Sequence, residues 1–230
     1  MDPAIDAKGS YLGLQKSPVS AIAWLDQHDL LLVGSGGYLE AFDLNSPDRI
    51  LSRSHVFKQV SNNVHRIVPS KTTEKVHIIG GKTLMAVEIA KDKSIRACPE
   101  ETLEFEDWIF DVTSWKNQLF VISAHNDVFA VNTNEQRSLE KIQCQEEKCI
   151  LYSASLVAQG NEVIVLGGTV FSQVIIWACA GPKRGAIFHR LNGHEGVIFN
   201  VQFDNTLSLI CSTSDDRSAR LWKVKWSDDK

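Results

Sequence analysis

The sequence predicts an all-β chain built from a repeated unit of about four short strands, and three observations predict it. Apolar residues alternate with polar ones in short runs, the two-residue period of half-buried strands, as at Val197, Phe199, Val201 and Phe203. Turn chemistry rich in Gly, Asn, Asp and Ser separates the runs at short intervals. A bulky or branched apolar residue closes the third run of each unit at Phe42, Val87, Val131, Trp177 and Trp222, a spacing of about 45 residues. No long window sustains a three-to-four-residue apolar period, so helices are not expected.

The first unit, about residues 16–60, has an alternating run at Val19–Trp24 and a second at Leu30–Val33. A turn at Gly34-Ser35-Gly36-Gly37 leads into Tyr38–Leu44, and Ile50–Phe57 supplies an outer strand. The second, 61–100, has Val64–Val68, Val76–Ile79, a Gly80-Gly81-Lys82 turn and Leu84–Ile89. The third, 105–145, has Trp108–Trp115, Leu119–Ser123, a turn at His125-Asn126-Asp127 and Val128–Val131. The fourth, 149–191, has Ile150–Val157, Val163–Leu166, a turn placed at Gly167-Gly168 and Val174–Trp177. The fifth, 193–226, has the run ending at Phe203, then Leu207–Cys211, the acidic turn Ser214-Asp215-Asp216-Arg217, and Ala219, Leu221 and Val224 around Trp222. Polar connectors such as Thr72-Thr73-Glu74 and Gln143–Lys148 are too short to be domain linkers, so residues 1–230 are read as one domain.

The fifth unit resembles one blade of a WD-repeat β-propeller, with matches at Gly193-His194, Ser212, Asp216 and Trp222. That resemblance implies a hydrogen-bonded structural relay through His194, Ser212, Asp216 and Trp222, in which Asp216 accepts from His194 and from turn amides. Ser, His and Asp also match a hydrolytic triad by residue type, but their spacing is that of the relay. The earlier units lack a Gly-His and rely on strand burial.

Composition narrows the function classes. The chain has 230 residues, 43% hydrophobic and 23% charged, as ordinary globular chains do. A formal net charge of −4 offers no general basic field for nucleic acid. The first residues, MDPAIDAKGS, carry two acids and no apolar run, so a signal peptide is not expected. No window approaches the ~20 apolar residues of a membrane span. Cys98, Cys144, Cys149, Cys179 and Cys211 are odd in number and form no CxxC pair, which favours reduced thiols and a cytoplasmic setting.

The segments Asp107-Trp108-Ile109-Phe110-Asp111-Val112 and Gly193-His194-Glu195-Gly196-Val197-Ile198-Phe199 narrow the resemblance, together with Ser172–Trp177 and Ser214–Val224. In this order and spacing the chain resembles the N-terminal propeller of the WD-repeat-containing protein six family, over about residues 105–225 and more weakly before them. The resemblance implies a non-catalytic subunit that positions tRNA while a partner tRNA ribose methyltransferase modifies the anticodon wobble nucleotide. Members are far longer, so this chain is expected to be an N-terminal portion or short form, an incomplete part of a seven-bladed propeller. Ser10–Gln15 then reads as an extra strand, and an open arc of five blades is expected.

Other candidate sites are weaker. The glycine pairs are followed by no Gly-Lys-Ser/Thr and no helix start, so they are turns rather than phosphate cradles. His189 and His194 lack an HExxH context, and no metal, cofactor or catalytic residue is expected. Lys183-Arg184 reads as a solvated basic turn. Asp107 and Trp108 open an inner strand, where a Trp is either rim packing or the anchor of a partner-binding rim. The alternative function is a general WD-repeat adaptor in kinase-linked signalling or ubiquitin transfer. Trp222-Lys223-Val224-Lys225 lacks the Asp and Arg of the ligase-receptor pattern. A propeller enzyme would need clustered acids, a metal or a cofactor, and none is visible.

Overall fold

A computed structural model describes residues 17–43, 50–57, 63–70, 74–132, 138–145 and 149–224. Its described residues form five antiparallel meander sheets, or blades. Blade one holds β1 (Val19–Leu25), β2 (Leu30–Ser35), β3 (Tyr38–Asp43) and β4 (Ile50–His55). Blade two holds β5 (Arg66–Pro69), β6 (Lys75–Gly80), β7 (Thr83–Ile89) and β8 (Ile95–Glu104). Blade three holds β9 (Ile109–Trp115), β10 (Gln118–Ser123), β11 (Asp127–Asn132) and β12 (Leu139–Gln143). Blade four holds β13 (Leu151–Gln159), β14 (Glu162–Thr169), β15 (Gln173–Ala180) and β16 (Ile187–Asn192). Blade five has three described strands, β17 (Ile198–Asp204), β18 (Leu209–Ser214) and β19 (Ala219–Lys223). Ser10–Gln15, expected as an extra strand, lies outside the described residues.

Two compact units result, one holding blades one and two and the other blades three to five. Within each, side chains of one inner strand bond the backbone of the next, about one repeat away. In the first unit the Ser20 hydroxyl donates to the Val64 carbonyl. In the second, the buried Asp111 carboxylate accepts the Leu156 N–H at 2.9 Å. Ser153 and Ser155 donate to the carbonyls of Ile198 and Val201 at 3.0 and 2.7 Å. A buried hydroxyl or carboxylate needs such partners, and here they also fix the register between neighbouring blades.

Blade four shows why its middle strands read as continuous apolar runs. Val163 and Val165 of β14 join the cluster shared with blade three, including Phe120, Ile122 and Trp177. Ile164 and Leu166 join the cluster shared with blade five, including Ile198, Val201 and Ile210. Both faces are buried, so the strand has no polar face to alternate with.

One turn lies elsewhere than the sequence suggests. Gly167 and Gly168 are inside β14, paired with Ile175 and Val174 of β15, and the turn follows at Val170–Ser172, with Ser172 taking the positive φ of 66°. The glycines are needed for close approach instead. A Cβ on Gly168 would stand 2.5 Å from the Ser153 Oγ and 2.6 Å from the Ile198 Cγ2. The Gly34–Gly37 segment is similar in part. Gly34 sits within β2 against Val64, and the positive φ falls on Gly36 at 57°. A single 3-10 turn at Asp26–His28 links β1 to β2. Cys98, Cys144, Cys149 and Cys179 are buried free thiols and Cys211 is an exposed one. Burial pushes the Cys179 thiol up to about 12, so it is inert as a nucleophile.

Candidate functional site

The residues singled out in blade five come together at the junction of its three strands. His194 lies in the segment entering β17, Ser212 in β18, Asp216 in the turn between β18 and β19, and Trp222 in β19. His194 and Ser212 are buried at 6% and 0% exposure. The Trp222 Nε1–H donates to the Ser212 Oγ at 2.8 Å. The His194 Nε2 is 2.8 Å from the same oxygen, and its Nδ1 is 2.7 Å from the Asp216 Oδ2.

The direction of the chain follows from chemistry. An indole N–H can only donate, so the Ser212 oxygen accepts from Trp222. A carboxylate can only accept, so the proton between His194 and Asp216 sits on Nδ1, and Nε2 accepts from the Ser212 hydroxyl. His194 is then the Nδ1–H tautomer, donating to Asp216. The Asp216 carboxylate also accepts from the Ser218 hydroxyl at 2.6 Å, the Ser218 N–H at 2.8 Å and the Glu195 N–H at 3.0 Å. The Ser218 hydroxyl first, then the Glu195 amide and His194, hold this carboxyl well below the usual carboxylate range, against the opposing effect of burial. A group with a depressed folded value contributes stability that is present above its unfolded value and lost as pH falls through the folded one.

Ser212, His194 and Asp216 reproduce the bonding order of a hydrolytic triad. The oxygen that would attack is nevertheless sealed. Ser212 has no exposed surface, and its Oγ already accepts the Trp222 indole, so no carbonyl carbon can reach it. The arrangement ties three strands together. Ser212→Ala is expected to strand the Trp222 donor and lower stability to denaturant by about 1–3 kcal/mol. Trp222→Phe, which removes the donor together with part of the ring system, should lose at least as much. Parental unfolding midpoints for both would leave the relay without an energetic role.

Blade four holds a substitute for the relay that the sequence did not flag. Trp177 is fully buried, and its Nε1–H donates to the Asn126 Oδ1 of blade three at 2.9 Å. Asn126 occupies the left-handed position of its turn, at φ 60°, as Asn tolerates. Its turn placement was legible; its bond to a tryptophan 51 residues onward was not.

Asp107 and Trp108 stand where blade three begins. The Asp107 Oδ1 accepts the Trp108 N–H at 2.8 Å, and its Oδ2 is 2.5 Å from the His125 Nδ1. Trp108 is 49% exposed, while its carbonyl accepts the Ala124 N–H at 2.8 Å. The Asp107 carboxylate therefore fixes the loop that carries the indole. Among the described residues no group of three or more His, Cys, Asp or Glu could hold a metal ion, and no helix is long and apolar enough to cross a membrane.

Comparison with known proteins adds to this geometry. The family "WD domain, G-beta repeat" matches residues 185–223, a repeat that runs from the outer strand of blade four through the three strands of blade five. The chain is similar to the tRNA (34-2'-O)-methyltransferase regulator of Mus musculus, 31% identical over 156 residues, covering 65% of this chain and 14% of the relative. It is 31% identical over 123 residues to the regulator of that name from Homo sapiens, covering 51% of this chain and 11% of the relative. A more general likeness is to a periodic tryptophan protein 2 homolog of Neurospora crassa, 30% identical over 73 residues, covering 32% and 8%. The chain thus spans about a seventh of the first of these relatives.

Proposed function

We propose that this WD-repeat chain, a relative of tRNA (34-2'-O)-methyltransferase regulators, is a non-catalytic subunit. It positions tRNA for 2'-O-ribose methylation of the anticodon wobble nucleotide by a partner methyltransferase. The observation that carries the reading is its similarity to those regulators at about 30% identity over up to 156 residues. Physical chemistry is consistent with the division of labour. Holding an enzyme and its substrate in register accelerates reaction without any chemical group from the holder. The one Ser-His-Asp array described is buried and spoken for. With a formal charge of −4 the chain has little general attraction for phosphate, so tRNA is engaged within the complex rather than by the chain alone. The setting is the cytoplasm.

Affinity purification of the tagged chain from cytoplasmic extract tests the partnership. The expected result is recovery of a ribose methyltransferase in stoichiometric amount, with tRNA present only when the enzyme is. Recovery of kinase or ubiquitin-ligase components without a methyltransferase would replace this reading with that of a general adaptor.

A further inference from the structure

The three blades of the second unit present large side chains at one shared position. Trp108, Ile150 and Val197 immediately precede β9, β13 and β17. Each gives its carbonyl to the hairpin turn of its own blade, through the N–H groups of Ala124, Val170 and Asp215. Two residues after Ile150 and Val197, β13 and β17 carry Tyr152 and Phe199 at a break in strand register. Trp108 is 49% exposed, Ile150 47%, Tyr152 53% and Phe199 47%.

The segments that carry them are joined. The Tyr152 and Phe199 rings pack at 5.3 Å between centroids. Ala124, bonded to Trp108, accepts the Leu151 N–H at 2.7 Å and so joins the Trp108 loop to the start of β13. Core packing does not need these rings, since Ile109, Leu151 and Ile198 beside them are the buried members. An exposed row of aromatics of this kind marks a surface where another molecule seats.

Charge selects the occupant. Glu106, Asp107, Glu195 and Asp215 flank the row in the same loops and turns, against Arg217 and the Asp107-bound His125. Carboxylates repel a phosphate backbone, which disfavours stacked RNA bases here. They attract Arg and Lys, whose cations also sit well over Trp and Tyr faces. We infer that the row of Trp108, Ile150, Tyr152 and Phe199 is a docking surface for an extended segment of a protein partner that alternates basic and apolar side chains. This rests on the reading of the chain as a binding subunit, but not on the partner being a methyltransferase.

An array of random 15-residue peptides, probed with the full chain at low and at moderate salt, tests it. Bound peptides should be enriched in Arg or Lys next to Leu, Ile or aromatic residues, and should bind more weakly at the higher salt. W108A/F199A, whose side chains are half exposed, should fold with parental stability and lose binding at least tenfold. E195K/D215K, with the rings intact, should lose the preference for basic peptides. Unselective binding, binding unchanged in both variants, or tighter binding of a single-stranded oligoribonucleotide through Trp108 and Phe199 would overturn the proposal. If the peptide preference is found while no methyltransferase copurifies, the docking surface stands and the tRNA reading fails.

Discussion

Trp177→Ala is expected to cause the largest loss of stability of any single substitution considered, about 3–5 kcal/mol from the cavity alone. Trp177 has no exposed surface and sits among Phe120, Ile142, Val165 and Cys179 in the core that joins blades three and four. Neighbouring strands are fixed by ladder bonds on both sides, so the site cannot collapse onto the void. The change also strands the Asn126 Oδ1 that accepts the indole proton, which adds to the cost. Trp222→Ala should cost less, because Trp222 keeps part of its surface in water. Urea unfolding of the parent and both variants checks the order, and Trp222→Ala proving the more damaging would contradict it.

The second large effect is on pH dependence and belongs to His77. Its side chain is buried within β6, and burial pushes its pKa from 6.5 down to about 4. The Glu101 carboxylate opposes that shift and the Lys75 ammonium adds to it. In the unfolded chain the imidazole takes up a proton near its ordinary value, so the unfolded state binds more protons between about 6.5 and 4. Stability attributable to His77 is therefore complete above about pH 6.5 and is lost as pH falls toward 4, by about 3 kcal/mol in all. His77→Gln should flatten the stability profile in that window by about one proton's worth. The Asp216 contribution is lost only at more acid pH, below the ordinary carboxylate range. An identical slope for parent and His77→Gln would show that the imidazole does not remain neutral in the fold.

The strand pattern was readable because each blade repeats it, and because turn residues punctuate it. The relay was readable because His194, Ser212, Asp216 and Trp222 are chemically distinctive at their spacing. Features arising between blades were not. Gly167 and Gly168 suggest a turn when read locally, yet their role is to let Ser153 and Ile198 approach β14. Trp177 reads as an anchor like Trp222, but its partner is Asn126 of another blade, and no local pattern records a bond across 51 residues. The same holds for Asp111, whose buried carboxylate is explained only by the Leu156 amide of the next blade. Trp108 was legible as a rim candidate, and its exposure was not. The pairing of Tyr152 with Phe199 appears only when the inner strands are set side by side.

The proposed role is to assist a methyltransferase without doing chemistry. It is tested most directly by measuring wobble-ribose 2'-O-methylation of tRNA with the purified partner enzyme, the purified chain, and both together. No methyl transfer is expected from the chain alone, and a clear gain is expected when chain and enzyme are combined. Methyl transfer by the chain alone, or enzyme activity unchanged by adding it, would contradict that role.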